Sequence, residues 1–143
     1  MDAVAIDTET LGLNPHRDRL CVVQISLSDG TADVIQIEAG QKKAPNLVKL
    51  LKDRSITKIF HFGRFRPCGS GTCIRHHAAA GVLHQDRIKL TRTYTDRHGL
   101  KEICSELLDV SISKQQQSSD WAAEVLSQAQ QNMRHRMSST CIA

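Results

Sequence analysis

Residues 19–37 constrain the fold more than any other part of the sequence, because they contain two strand patterns separated by a turn signal. The segment LCVVQISL is rich in alternating and β-branched residues, which predicts a strand over about residues 19–27. Asp29-Gly30 suits a hairpin turn, and TADVIQIE predicts the return strand over residues 32–37. A chain with this hairpin has to build an antiparallel sheet around it.

The segments on either side of the hairpin extend this prediction to a mixed α/β sheet. AVAID is a short apolar run that ends in an acid, which indicates a buried strand at residues 3–7. Pro45 suits the first turn of a helix over residues 45–52, and ITKIFHF predicts a fourth strand at residues 58–62. In this β-β-β-α-β order, the helix returns the chain so that the fourth strand lies parallel to the first.

Two further helices are predicted in the second half of the chain. HGLKEICSELL repeats its apolar residues at helical spacing, which predicts an amphipathic helix over residues 99–108. SSDWAAEVLSQAQ predicts another helix, capped by Ser119 or Asp120. A length of 143 residues suits one domain over residues 1–143.

Composition excludes several classes of protein. No apolar run approaches the roughly 18 residues of a membrane span, and the N-terminus lacks the features of a secretory signal. Five cysteines without regular spacing favour a reduced, cytoplasmic setting over a disulfide framework. The formal net charge of +4 suggests nucleic acid, but residues 66–89 and 132–143 together carry more than this excess. The rest of the chain is slightly acidic.

Asp7 and Glu9 are the candidate metal ligands. They alternate along the end of the first strand, so both side chains point to one face. Two carboxylates in such a position repel each other, a divalent cation relieves the repulsion, and oxygen ligands suit Mg²⁺ or Mn²⁺. The alternative is two solvated acids at a strand end. The buried strand before the pair and the LGL after it favour the metal site.

At these residues the sequence resembles a known family. AIDTETLGLNPHRDRLCVVQIS resembles the first motif of the DEDD 3′→5′ exonucleases, in particular the ribonuclease D-like proteins of the tyrosine subgroup. KIFHFGRF and LTRTYTDRHGLKEICSELLDVSISKQQQSSDW resemble later parts of the same family. The resemblance implies an α/β, ribonuclease H-like mixed sheet flanked by helices, incomplete here at the C-terminus. It also implies a 3′-5′ exonuclease that acts on the 3′ end of single-stranded RNA or DNA.

The resemblance also implies a site in which four acids hold two metal ions. Asp7 and Glu9 match the first two acids, and are therefore the catalytic and metal-binding candidates. Thr10 and Leu11 match positions that border the terminal nucleotide. Arg66 stands where the third acid is expected, and no Tyr-x-x-x-Asp motif follows residue 131. The chain should then hold at most one ion loosely, and its activity should be impaired.

A shifted reading frame accounts for both missing motifs. If the codons of residues 66–89 are read one nucleotide later, codon degeneracy allows them to encode an apolar segment. That segment begins with the missing Asp. Codons after residue 131 likewise allow a Tyr-x-x-x-Asp. We interpret residues 66–89 and 132–143 as out of frame, either in a real pseudogene or through a sequencing error, and expect residues 66–89 to lack a stable apolar face.

Two alternatives remain for the first of these segments. One is a divergent insertion. The other is a zinc loop formed by Cys68, Cys73, His76 and His77, but the spacing of these residues matches no structural zinc site.

Three function classes follow from the sequence: a 3′-5′ exonuclease, a catalytically inactive nucleic-acid-binding remnant, and a non-functional translation product.

Overall fold

A computed structural model describes residues 3–12, 14, 17–27, 29, 31–41, 43–60, 81–111 and 119–131. Its principal elements, in chain order, are β1 (Ala3–Thr10), β2 (Leu20–Ser26), β3 (Ala32–Gln36), α1 (Pro45–Lys52), β4 (Thr57–Phe60), β5 (Gly81–Leu83), α2 (His84–Thr91) and α3 (Leu100–Leu108). The strands form one five-stranded sheet in the order β3-β2-β1-β4-β5. The zinc-loop residues, Arg66 and residues 132–143 lie outside this description, as do the last two residues of the predicted fourth strand.

The sheet is mixed, and its first four strands are arranged as predicted. β1, β2 and β3 are consecutive and antiparallel, and β4 lies parallel to β1 with Ala3 opposite Thr57. At the hairpin turn, Leu27 N donates to Thr31 O at 3.0 Å, and Asp29 Oδ1 accepts from Thr31 N at 2.8 Å. β5 extends the sheet by a parallel pairing with β4, which the sequence did not predict.

One face of the sheet packs against α1. The helix begins at Pro45, a residue whose missing N–H is tolerated in the first turn, and it buries Leu47 and Leu51. These pack against apolar side chains of the strands and of the residue that follows β3: Val4, Ile6, Val23, Ile25, Phe60 and Ile37. At the end of α1 the buried Lys58 ammonium donates to the Asp53 carbonyl, so a cation lies at the negative end of the helix.

The other face of the sheet holds a smaller core beside a β-bulge. Glu9 pairs with Val22 whereas Thr10 pairs with Leu20, so Cys21 is the extra residue of β2. The bulge lets Cys21 and Val22 both join a buried cluster with Trp121 and Leu126. The bulge therefore lies directly beside one of the two candidate metal ligands.

α3 is amphipathic, as predicted, and begins one residue later than expected. It buries Ile103 and Cys104, whereas Leu107 is 63% exposed. Asp109 ends the helix in the left-handed conformation, with φ of 53°. The apolar face of α3 is thus only partly covered by the described residues.

A polar network joins the end of α2 to α3. Arg92 is buried; its Nη1 donates to Arg97 O at 3.1 Å and its Nε donates to Tyr94 Oη at 3.0 Å. Its Nη2 pairs with the Glu106 carboxylate, which also accepts from Tyr94 Oη at 2.7 Å. A buried guanidinium with several partners fixes the loop between the two helices.

The prediction of a helix capped by Ser119 or Asp120 is wrong. Asp120 Oδ1 instead accepts from Ala122 N at 2.9 Å, which stabilises a turn. The helix begins directly after Ser127, where Ser127 N donates to Gln130 Oε1 at 2.7 Å and Gln130 N donates to Ser127 Oγ at 3.3 Å. This reciprocal capping box starts the helix later than the apolar spacing suggests.

Across the described residues, no helix combines the length and the apolar character that a membrane crossing needs.

Candidate active site

Asp7 and Glu9 lie on one face of β1, as their alternation predicts. The residues paired with them on β2 are Gln24 and Val22, and paired residues of antiparallel strands share a face. We call this the acid face, the side of β1 and β2 that lies opposite α1. Its members are Ala5, Asp7, Glu9, Val22, Gln24 and Ser26.

The position of the two acids follows from the parallel pairing of β1 with β4. Parallel strands end at the same edge of a sheet, and α/β sheets bind their ligands at that edge. Asp7 and Glu9 lie in the C-terminal half of β1, and each side chain is partly buried. The sheet therefore brings both candidate ligands together, while the predicted cleft in front of them stays a prediction.

Burial and mutual repulsion set the electrostatics of the pair. Burial raises the pKa of Asp7, and a hydrogen bond from the backbone of Thr8 opposes part of this rise. Burial also raises the pKa of Glu9, and together with the charge of Asp7 it brings the value to about 7. Each carboxylate therefore resists ionisation, and a nearby cation would favour the ionised form of both.

The donor set suits a hard divalent cation but is incomplete among the described residues. Carboxylate oxygens are the ligands that Mg²⁺ and Mn²⁺ prefer. Within the described ranges, no group of three or more His, Cys, Asp or Glu side chains could hold a metal ion. Asp7 and Glu9 are therefore the candidate ligands among the described residues, and the partial site that the sequence predicts stays a prediction.

Thr10 and Leu11 follow the acids at the point where β1 ends. The Thr10 hydroxyl donates to Gly12 O at 2.6 Å, and Leu11 N donates to Arg19 O at 3.0 Å. Leu11 is 56% exposed, which leaves its apolar side chain accessible at the end of β1. The structure therefore places both predicted nucleotide-bordering residues next to the acid pair.

The loop after Leu11 depends on Asp18, which sequence reasoning missed. Asp18 is 3% exposed; it accepts from Asn14 N at 2.8 Å and from Arg17 Nε at 2.7 Å. The hydrogen bond from Arg17 holds the pKa of Asp18 below its ordinary value. A Cβ at Gly12 would lie 2.4 Å from Asp18 Oδ2, so glycine allows the loop to close on the carboxylate. The NPHRD segment could have indicated this role of Asp18. Asn-Pro marks a turn, and the backbone N–H groups of a turn often bond to a nearby polar side chain.

Trp121 covers the sheet beside the acids. It is 4% exposed and packs against Val22, the residue opposite Glu9. Gln36 Nε2 fixes this segment by donating to Ala123 O at 3.1 Å. The indole therefore excludes water from one side of the acid face.

Known proteins of similar sequence and structure identify the family of this chain. The sequence model of a family described as 3′-5′ exonuclease matches residues 1–132. Brucella melitensis NrnC bound to pGG is 75% identical over 94% of this chain and 65% of its own, with a TM-score of 0.80. The same protein with bound Mg²⁺ is 70% identical over 99% of this chain and 67% of its own, with a TM-score of 0.81.

Two more distant proteins share the domain or the fold. Aquifex aeolicus DNA polymerase I is 32% identical over 87% of this chain, which spans only 20% of the polymerase. Escherichia coli RNase D is 21% identical with a TM-score of 0.69 over 94% of this chain and 35% of its own, which shows a common fold.

The mixed sheet and its relatives define an RNase H-like exonuclease fold. This chain belongs to the 3′-5′ exonuclease family. It spans about two thirds of the length of the similar NrnC structures.

Proposed function

We propose that this chain is a 3′-5′ exonuclease domain in which Asp7 and Glu9 bind a divalent cation, Mg²⁺ or Mn²⁺. The observation that carries the proposal is the placement of both carboxylates on one face, at the C-terminal half of β1, within the fold of this family. The Mg²⁺ bound to the similar NrnC supports this choice of cation. In such sites the bound metal activates the attacking water and stabilises the leaving oxygen.

The chain's own residues would bind and orient the end of a strand. Leu11 offers an exposed apolar surface for the terminal base, and Thr10 holds the turn in place through Gly12. Asp18 closes the following loop, so the residues that meet the nucleotide are held before it arrives. We propose the 3′ end of single-stranded RNA or DNA as the substrate; the pGG bound to NrnC supports a short 5′-phosphorylated strand as the first probe.

We further propose that hydrolysis by this chain is slow. Arg66 places a cation where the family has an acid, and the sequence after residue 131 lacks the expected Tyr and Asp. A catalytically inactive nucleic-acid-binding remnant is the second candidate, and the same two departures favour it. The cytoplasm is the proposed location, which the free thiols of Cys21 and Cys104 support.

Direction and metal dependence test the proposal together. A single strand labelled at its 5′ end should shorten stepwise in Mn²⁺, whereas the same strand labelled at its 3′ end should lose its label in the first step. Asp7→Asn should abolish both the stepwise shortening and the loss of the 3′ label, because the remaining carboxylate holds the cation too weakly. Shortening that persists in Asp7→Asn would reject the assignment. Strand binding without any Asp7-dependent shortening would favour the inactive remnant.

A further inference from the structure

Gln24 is a buried amide without a hydrogen-bond partner for its NH₂ group. Its side chain is 3% exposed, and within the part of the chain that the structure describes Nε2 meets no acceptor. Leaving a buried donor unsatisfied costs about 1–3 kcal/mol, so such groups are rare in folded proteins. The unpaired NH₂ group therefore points to an acceptor that comes into line with it in another state of the site.

The register of the sheet shows which acceptor is within reach. Gln24 on β2 lies directly opposite Asp7 on β1, and both side chains belong to the acid face. Residues paired in this way have Cβ atoms about 4.5–5.5 Å apart, so a glutamine side chain can reach the carboxylate of its neighbour. On β2, the acid face also contains Val22 opposite Glu9 and Ser26 opposite Ala5. Among these three residues, Gln24 is the one with a hydrogen-bond donor directly opposite a carboxylate.

We propose that Gln24 is the positioning residue for Asp7, donating from Nε2 to one carboxylate oxygen while the other oxygen faces the divalent cation. This proposal rests on the proposed function. A ligating carboxylate has a second oxygen with free lone pairs, and an outer hydrogen bond to it fixes the rotamer of the ligand. The bond gives the buried NH₂ group its acceptor in the cation-bound state. Losing such an outer partner typically weakens metal binding by about 10–100-fold.

Gln24→Met is the variant that separates positioning from a structural role. It removes the donor at nearly constant side-chain length and replaces the polar amide with an apolar thioether. In the absence of a cation its melting temperature should equal or exceed that of the parent chain, because an unpaired buried amide is removed. Its affinity for Mn²⁺, measured by electron paramagnetic resonance titration of the 143-residue chain, should fall about 10–100-fold. Ser26→Ala is the matched control, since it also removes a buried polar side chain from the acid face of β2; its affinity should stay within about twofold of the parent.

A second measurement leaves Gln24 in place. In the parent chain, added Mg²⁺ should move the Gln24 side-chain NH₂ proton resonance downfield in a saturable way, and Asp7→Asn should remove this movement. Gln24→Met that binds Mn²⁺ as tightly as the parent overturns the positioning role while the metal site stands. If Mg²⁺ binding depends on Asp7 but the Gln24 resonance does not move, the positioning role is likewise overturned while the metal site stands. Absence of any Asp7-dependent binding in the parent overturns the metal assignment, and the role of Gln24 with it.

Discussion

Ionisation of Glu9 costs the folded chain free energy, because the side chain is partly buried and faces Asp7. Its pKa is about 7 in the folded chain against an ordinary value of 4.5. The folded state therefore binds this proton more tightly than the unfolded state does. Between these two values the free energy of unfolding falls as the pH rises, and above about 7 the full cost is present.

We predict that, without divalent cations, the free energy of unfolding drops by on the order of 1–3 kcal/mol between about pH 5 and about pH 8, after solvent screening of a partly exposed group. Glu9→Gln should make this slope shallower, because the amide does not ionise, and the slope that remains should come from Asp7, whose pKa burial also raises. Glu38→Gln, at an exposed glutamate, should leave the slope intact. Denaturant titrations across the pH range measure it. A parent profile that is flat, or that rises with pH, would contradict the placement of Glu9 beside Asp7.

Some residues in and around the candidate site could be predicted from the sequence, and others could not. The shared face of Asp7 and Glu9 was predictable because strand alternation is a local pattern, and the register confirms it; their role as metal ligands stays a prediction. Gln24 was not predictable, because its position depends on the register between two strands. Asp18 looked like one acid in a polar loop, and only loop closure buries it.

At the scale of elements, the loop between β1 and β2 is held by a buried carboxylate rather than by apolar packing. Asp18 accepts bonds from both Asn14 and Arg17, and its Oδ2 lies where a side chain on Gly12 would start. The carboxylate cannot move aside without losing these bonds. The loop is therefore sensitive to a single methyl group.

Gly12→Ala should destabilise the chain by about 1–3 kcal/mol, because the new Cβ meets Asp18 Oδ2 at 2.4 Å. The cost of adding Gly12→Ala should be much smaller in an Asp18→Ala background, where the clashing atoms are gone. Denaturation of the two single variants and the double variant gives this coupling. Additive costs would show that the loop does not close on Asp18 in solution.

Elements built on local patterns were predictable, and those set by longer contacts were not. α1 and the three antiparallel strands lie where the sequence predicts, since Pro45, the apolar periods and the Asp29 turn are local signals. The helix expected from Ser119 begins only after Ser127, because side-chain bonds at the turn and at the capping box outweigh apolar spacing.

At the scale of the whole molecule, two cores on opposite faces of one sheet hold the acid pair at its edge. The larger core packs α1 against the strands, and the smaller packs Trp121 beside the acids. Most of residues 66–89 lies outside the description, so the predicted lack of an apolar face there stays a prediction. Within the described part, Gly81–Leu83 extends the sheet and Ile88 is buried. A shifted reading frame leaves no local pattern in an amino-acid sequence. The interpretation of residues 66–89 and 132–143 as out of frame therefore depends on the motifs that are missing there.

The most direct test of the account is a comparison of hydrolysis rates for a labelled single strand. One sample is the 143-residue chain, and the other has residues 66–89 and 132–143 returned to the shifted frame. With Mg²⁺ or Mn²⁺ present, the restored protein should shorten the strand at least about a thousand-fold faster, because the acids of a metal site act as a unit. Asp7→Asn should abolish the activity of both. Equally fast, Asp7-dependent shortening by the 143-residue chain would contradict the account, since it would show that Asp7 and Glu9 have the partners that residues 66–89 and 132–143 were expected to supply.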